Sequence, residues 1–208
     1  MKQLKIIILF IVSFTYMGSA QAVQVNGKDW RQLTETTNIS YNDMLNIYDP
    51  TTGNLKSNSI NNTVKGVDFT GYNWASVEEV GAMFNHITGL SLSSSNTLVN
   101  EVNSLWAPKF FQAGFIPTDT GRKRELWGET RTAFNPSNIF APELSDWIFP
   151  DIEGLDIINM VNTETPFMSF PTMGQWVYTS TVPLPAGIWF LGTGLITLIS
   201  VGRSKNRK

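Results

Sequence analysis

The chain holds few residues of the kinds that make or break covalent bonds. It has no cysteine, which excludes thiolate nucleophiles and thiolate metal sites. His86 is its one histidine, so a single Ser-His-Asp arrangement is open and no histidine pair stands at zinc spacing. His86 falls near the C-terminal end of an expected helix, where an imidazole interacts well with the helix dipole, and that reading is preferred to catalysis. There is no Gly-x-Ser-x-Gly elbow and no phosphate-cradling glycine loop. Asp146, Asp151, Glu153 and Asp156 offer oxygen ligands to a divalent cation, but their spacing matches no calcium loop and a structural role is preferred. The paired Glu78 and Glu79 are explained by helix capping. Arg122-Lys123-Arg124 reads as a solvated strand end neutralised by Glu125 and Glu129. Carboxylate pairs for glycoside chemistry are assembled in space rather than in sequence and stay open. The chain is therefore read as non-enzymatic, with no catalytic residue, no metal and no cofactor.

Local signals predict the elements that carry these residues. Residues 23–32 alternate weakly and then give Trp30, as a short strand followed by a packed aromatic. Ser40 stands three residues before Asp43, with Tyr41, Met44, Leu45 and Tyr48 at helical spacing, which predicts a short capped helix over 41–47. Asp49-Pro50 ends it. Residues 50–65, rich in Asn, Ser, Thr and Gly, are expected to form a loop. Ser76 and Glu79 form a capping box ahead of the apolar stripe Val77, Val80, Phe84 and Ile87, and Gly89 closes that helix. Val99, Val102, Leu105 and Trp106 suggest another short helix, stopped by Pro108. Residues 110–115 are aromatic and expected to be buried, 118–121 form a turn, and 126–134 read as a strand carrying Trp127 and Phe134. The prolines at 136, 142 and 150 argue against regular structure over 135–150, and residues 174–178 are the last strand. The expected fold class is α+β: an antiparallel sheet with two or three short helices, and with Trp30, Trp74, Trp106, Trp127, Trp147 and Trp176 packed inside.

The two ends differ from the middle. Lys2 and Lys5 precede a mostly apolar run over 6–17, and Ala20 and Ala22 supply the small residues of a signal-peptidase site. Cleavage after Ala22 is expected, giving a signal peptide at 1–22; the alternative is an uncleaved anchor, for which the run is shorter than the roughly 20 residues of a span. At the other end, the apolar stretch 186–202 is expected to be a transmembrane helix, about 25 Å long at the usual rise. Arg203, Lys205, Arg207 and Lys208 would hold its end, 203–208, on the cytoplasmic side. An ordinary stop-transfer anchor is the alternative. Residues 23–180 remain as one exported globular domain. Between the leader and the tail cluster, nine lysines and arginines face 17 acids, a net charge of −8. That excess argues against nucleic acid and anionic lipid as partners. Without cysteine, apolar burial rather than disulfides must hold the fold in an oxidising compartment.

Val182-Pro183-Leu184-Pro185-Ala186, followed by an apolar stretch and a basic cluster, resembles the PEP-CTERM sorting signal in its Val-Pro-Leu-Pro-Ala variant. The resemblance implies export across the inner membrane of a Gram-negative, exopolysaccharide-making bacterium. Signal peptidase would act first. Recognition of the tail by an exosortase, a membrane-embedded cysteine transpeptidase-like enzyme, would follow, with 182–186 as the processing site. The implied route is the inner membrane in transit, with the domain facing the periplasm, and then the cell surface or extracellular matrix. A second resemblance, carried by residues 27–30, the helix after Ser40 and Gly71-Tyr72-Asn73-Trp74-Ala75-Ser76-Val77-Glu78-Glu79-Val80, is to a domain of other exported PEP-CTERM proteins, whose helix order is similar to the first half of C-type-lectin-like folds. The Glu-Pro-Asn and Trp-Asn-Asp sugar motifs of true C-type lectins are absent, as are disulfides. The expected function is that of a non-catalytic, envelope- or matrix-directed exosortase substrate. The alternative is a carbohydrate-binding module that engages exopolysaccharide through exposed tryptophans; a hydrolase comes third.

Overall fold

Alternation places Val23 and Val25 on one face of the first strand, β1 (Val23–Val25), and both are buried. Asn26 and Gly27, both at positive φ, turn the chain in two residues into β2 (Lys28–Trp30). An Asn-Gly pair suits the twist of such a hairpin. A computed structural model describes residues 22–95, 99–102, 105–120, 123–149 and 152–180. Residues 1–21 of the expected signal peptide at 1–22, the expected sorting motif 182–186, the expected transmembrane helix over 186–202 and the basic cluster at 203–208 lie outside the described residues. Within those residues, no helix is long and apolar enough to cross a membrane.

The two capping boxes start the two helices expected of them. In α1 (Tyr41–Leu45), Ser40 Oγ accepts the Asp43 N–H and Asp43 accepts the Ser40 N–H. In α2 (Val77–Thr88), Ser76 and Glu79 do the same, and Gly89 closes the helix at φ 82°, where a side chain would be strained. Val77, Val80 and Phe84 are fully buried and Ile87 packs against them, so the predicted stripe is the buried face.

Between these helices run β3 (Thr63–Val64), β4 (Val67–Asp68) and β5 (Asn73–Trp74). Four expectations fail after α2. Residues Val99 and Val102 bound β6 (Val99–Val102), which pairs with a later strand, and the helix is α3 (Trp106–Gln112). Their helical spacing was coincidental in a four-residue edge strand. Pro108 sits inside α3 rather than ending it, because in the first turn its missing N–H would have had no helical partner. Most of residues 135–149 are also in strands, in contrast to the expectation over 135–150. β7 (Lys123–Glu129) is followed by β8 (Ala133–Asn135), β9 (Asn138–Phe140) and β10 (Glu143–Phe149). Pro136 falls in the turn between β8 and β9, and Pro142 just ahead of β10, so neither removes a hydrogen bond from the middle of a strand. The expected single strand over 126–134 is two, β7 and β8, and Phe134 is more than half exposed.

The chain ends its described course with β11 (Ile152–Asn159), β12 (Thr163–Glu164), β13 (Gly174–Gln175) and β14 (Val177–Ser180). The order β1-β2-β14-β5 makes one antiparallel sheet, and β13-β7-β10-β11-β6 makes a second, antiparallel but for the parallel β13–β7 pair. Two smaller sheets, β12-β9-β8 and β3-β4, complete an α+β fold with three α-helices among the described residues. Trp176 is where the chain passes from the second sheet to the first. Its ring is fully buried against Trp30, Phe84 and Phe115. The Trp176 backbone N–H donates to the Glu129 carbonyl and its own carbonyl accepts the Ala75 N–H, so residues 174–180 join both sheets. The larger core lies under α2 and α3, and a smaller one gathers Met44, Tyr48, Phe69 and Trp74. Trp30, Trp74, Trp106 and Trp176 are buried as expected; Trp127 is half-buried and stacks on Phe170, and the side chain of Trp147 lies outside the described residues.

Candidate functional site

Polar side chains from three elements converge on Glu79, in the first turn of α2. Its Oε1 accepts from Lys28 Nζ on β2 at 2.6 Å and from the Tyr178 hydroxyl on β14 at 2.5 Å. Its Oε2 accepts the Ser76 N–H at 2.8 Å and lies 3.8 Å from Arg131 Nη2. Strand alternation explains the convergence. Lys28 pairs with Val25 and Ser180, and Trp30 with Val23 and Tyr178, so these side chains share the face on which α2 lies. The Lys28 ammonium stands 3.6 Å from the Tyr178 ring centroid. Burial would push the Glu79 carboxyl up, but Lys28, Tyr178 and Ser76 outweigh it and hold the group below the usual glutamate range. Burial and the same carboxylate raise the Tyr178 hydroxyl above its ordinary value. A carboxylate so fully engaged is a weak base, and a phenol so raised keeps its proton. The cluster is built to clasp α2, β2 and β14 together.

Two depressions flank this turn and share Glu78. One, of about 210 Å³, is lined by Val25, Asn26, Lys28, Trp30, Glu78, Glu79, Ala82 and Met83. The other is shallower, at about 460 Å³, and is centred on Arg131. Arg131 is itself committed: Nη1 donates to the carbonyls of Pro50 at 3.1 Å and Thr51 at 2.8 Å, fixing the turn at 49–53. Gly53 is required there, at φ 75°, since a Cβ would stand 2.3 Å from the Trp74 carbonyl oxygen.

A second polar cluster lies on the face of β7 and β10 that carries Lys123, Glu125, Glu143 and Ser145. Lys123 Nζ bonds to Glu125 and stands 3.3 Å from Glu143 Oε1. Ser145 also bonds to Glu143, and Asn162 Nδ2 donates to its Oε2 at 3.0 Å. Glu125 is pushed up to about 8, by burial first and by Glu143 next, whereas Glu143 stays below the glutamate range because Glu125, Ser145 and Lys123 outweigh its burial. The two carboxyl groups thus meet at one ammonium, Lys123, with Glu125 the one raised and Glu143 the one lowered. With Lys123 between them, the two carboxyl groups direct oxygens at the protein's own cation rather than at a sugar or water. Further along β7, Glu129 is fully buried and accepts from Gln175 Nε2 at 2.5 Å. Its burial pushes it up to about 8 as well.

The expected neutralisation of the basic run is therefore corrected. Lys123 pairs with Glu125 and Glu143, Arg124 with Asp146, and Glu129 with none of them; Arg122 lies outside the described residues. Of the four acids weighed for a cation, Asp146 is taken by Arg124, and Asp156 Oδ2 accepts the Ala107 N–H at 3.0 Å, capping α3 from a strand 49 residues away. Leu105 at the helix start supplies no side-chain cap of its own. Asp151 and the side chain of Glu153 lie outside the described residues. Among the described residues no group of three or more acids, histidines or cysteines is placed to hold a metal. His86 is exposed in the last turn of α2. Sequence reasoning found Glu79 through its cap but missed Lys28 and Tyr178, which are 51 and 99 residues from it and belong to no local pattern. The pairing of Glu125 with Glu143 had only one signal, two acids on strands of equal alternation, and the second strand was not expected. Of the sorting and cleavage residues only Ala22 is described, exposed and one residue ahead of β1. No protein-family model matches the chain, and no curated protein or solved structure matches it either.

Proposed function

We propose that the chain is an exported, envelope- or matrix-directed protein whose 23–180 domain is non-catalytic cargo and whose tail is a sorting signal processed by an exosortase. The observation that carries this reading is the three-part order of the tail: Val182-Pro183-Leu184-Pro185-Ala186, then an apolar stretch long enough to approach a membrane's width, then Arg203, Lys205, Arg207 and Lys208. The layout of the domain is consistent with it. Strand β1 begins directly after Ala22 and strand β14 ends at Ser180, two residues ahead of Val182. The engaged state of Glu79, and the engagement of Glu125 and Glu143 by Lys123, support a non-catalytic domain. Carbohydrate binding through tryptophan platforms gains no support from Trp30, Trp74, Trp106 and Trp176, whose rings are buried.

The test is mass spectrometry of the mature protein from exporting cells with and without the exosortase. The expected result is a chain beginning at Val23 in both, and loss of residues beyond the 182–186 motif only when the enzyme is present. An intact tail in both strains would overturn the sorting assignment.

A further inference from the structure

The proposed processing site starts very close to a folded surface. Val182 follows Ser180 by two residues, which allows at most about 7 Å of extended chain between them. Ser180 is held in register with Lys28, and Lys28 with Val25, so Ser180 and Val25 are two strand spacings apart, about 10 Å. A domain of this length has a radius of gyration of about 15 Å. An enzyme that grips 182–186 while β14 sits in its sheet is therefore forced against the surface beside Ser180.

That surface holds the pocket of about 210 Å³. Its floor is apolar, made by Val25, Trp30 and Met83, with Ala82 at the mouth. Lys28 and Glu79 at its rim satisfy each other, whereas the exposed side chains of Asn26 and Glu78 make no hydrogen bond to any described residue. The pocket has room for one apolar side chain, and the unused carboxylate and amide beside it suit hydrogen-bond donors. Resting on the sorting assignment, we propose that this face is a docking surface for the membrane-bound enzyme that processes the tail. The enzyme seats an apolar side chain in the pocket and sets donors against Glu78. The folded domain is then part of what the enzyme recognises, beyond the motif itself.

The test uses full-length protein in cells that carry the enzyme, with the rate of tail loss followed by pulse-chase. Ala82→Arg blocks the mouth from an exposed helix position where arginine is nearly as good a helix former as alanine. Glu78→Lys reverses the free charge. Each is expected to slow tail loss at least about tenfold, the loss of a modest contact, while purified Ala82→Arg protein keeps the wild-type unfolding temperature and Glu78→Lys lowers it by no more than about 4 °C, the effect of a cation in the first turn of α2. A ten-residue Gly-Ser insertion after Ser180 frees the motif from the face, so tail loss in that background is expected to be insensitive to Ala82→Arg. A photo-crosslinker at position 82 is expected to capture the enzyme; capture of a second copy of the chain would overturn the proposal. If the wild-type tail is removed but both substitutions leave its rate unchanged, docking is wrong and sorting stands. If the wild-type tail persists with the enzyme present, sorting is wrong and docking falls with it.

Discussion

Glu79 and Glu129 are the same residue type in opposite electrostatic states, and the sheets that hold them differ accordingly. Around Glu79, on the β1-β2-β14-β5 sheet, Lys28, Tyr178 and the start of α2 supply donors, so the carboxylate is charged and its pKa is depressed. Along β7, Lys123 is shared by Glu125 and Glu143, and Glu129 has an amide and no cation, so burial wins and both Glu125 and Glu129 are raised to about 8. Burial penalises charge in both places; what differs is whether a positive group from a distant segment reaches the site. One region should therefore be weakened by acid and the other by alkali.

The largest effect is expected where one cation serves two acids. Lys123→Ala leaves Glu143 charged and beside a buried Glu125, and removing one partner of such a pair should cost about 3 kcal/mol at pH 7. Urea unfolding measures it. A cost no larger than that of an exposed surface lysine would show that Glu143 finds other compensation, and that the β7 face is less dependent on its cation than the geometry indicates.

Next comes the other side of the comparison. Glu79→Gln keeps the shape but loses the charge that holds Lys28 and Tyr178, for an expected cost of about 2 kcal/mol near pH 7. Because the folded pKa of Glu79 is depressed, its contribution is present above the unfolded value and is lost as pH falls through the folded one. The difference between wild type and variant should consequently shrink on acidification below about pH 4.5, the range of an unfolded glutamate. A constant difference across pH would mean that Glu79 acts by packing alone.

Much of the Glu79 region was legible because capping is local. Ser40 with Asp43, and Ser76 with Glu79, lie within one helical turn, and the stripe of Val77, Val80 and Phe84 needs only the helical period. The clasp that joins Glu79 to Lys28 and Tyr178 was not legible, since strand order brings residues 28 and 178 together across almost the whole domain. The β7 region was mostly misread. Prolines at 136 and 142 looked like breakers, yet they mark the strand ends that define β9 and β10. Val99 and Val102 fitted a helical period by chance, and only the partner strand β11 decides between the two readings. The structural role preferred for Asp156 had no visible partner until α3, a helix without its own cap, was placed against it.

The alkaline side gives the third experiment. Glu129 binds its proton more tightly folded than unfolded, so its contribution is full below about pH 4.5 and is lost as pH rises through about 8. Glu129→Gln removes that loss while keeping an acceptor for Gln175. The variant should be close to wild type at pH 5 and more stable at pH 9, with a Tm gain of roughly 2–4 °C for each kcal/mol recovered. Equal Tm values at pH 9 would show that the buried carboxyl ionises without cost, and the contrast with Glu79 would disappear.

The smallest expected effects separate capping from clasping, because Ser76 touches Glu79 whereas Ser40 touches an acid of a different kind of site. Ser40→Ala and Ser76→Ala each remove one acceptor from a helix N-terminus, for a usual cost of about 1 kcal/mol. Asp43 also pairs with Lys65, half-exposed at 2.8 Å, so it stays oriented without Ser40. Glu79 stays oriented by Lys28 and Tyr178 without the Ser76 hydroxyl. Because the side chain of Glu79 belongs to both the cap and the clasp, Ser76→Ala and Glu79→Gln will not add, while Ser40→Ala and Glu79→Gln, on helices that pack into different cores, will add to within about 0.5 kcal/mol. Additivity of the first pair would show that the reciprocal cap contributes nothing to holding Glu79, and that β2 and β14 alone position it.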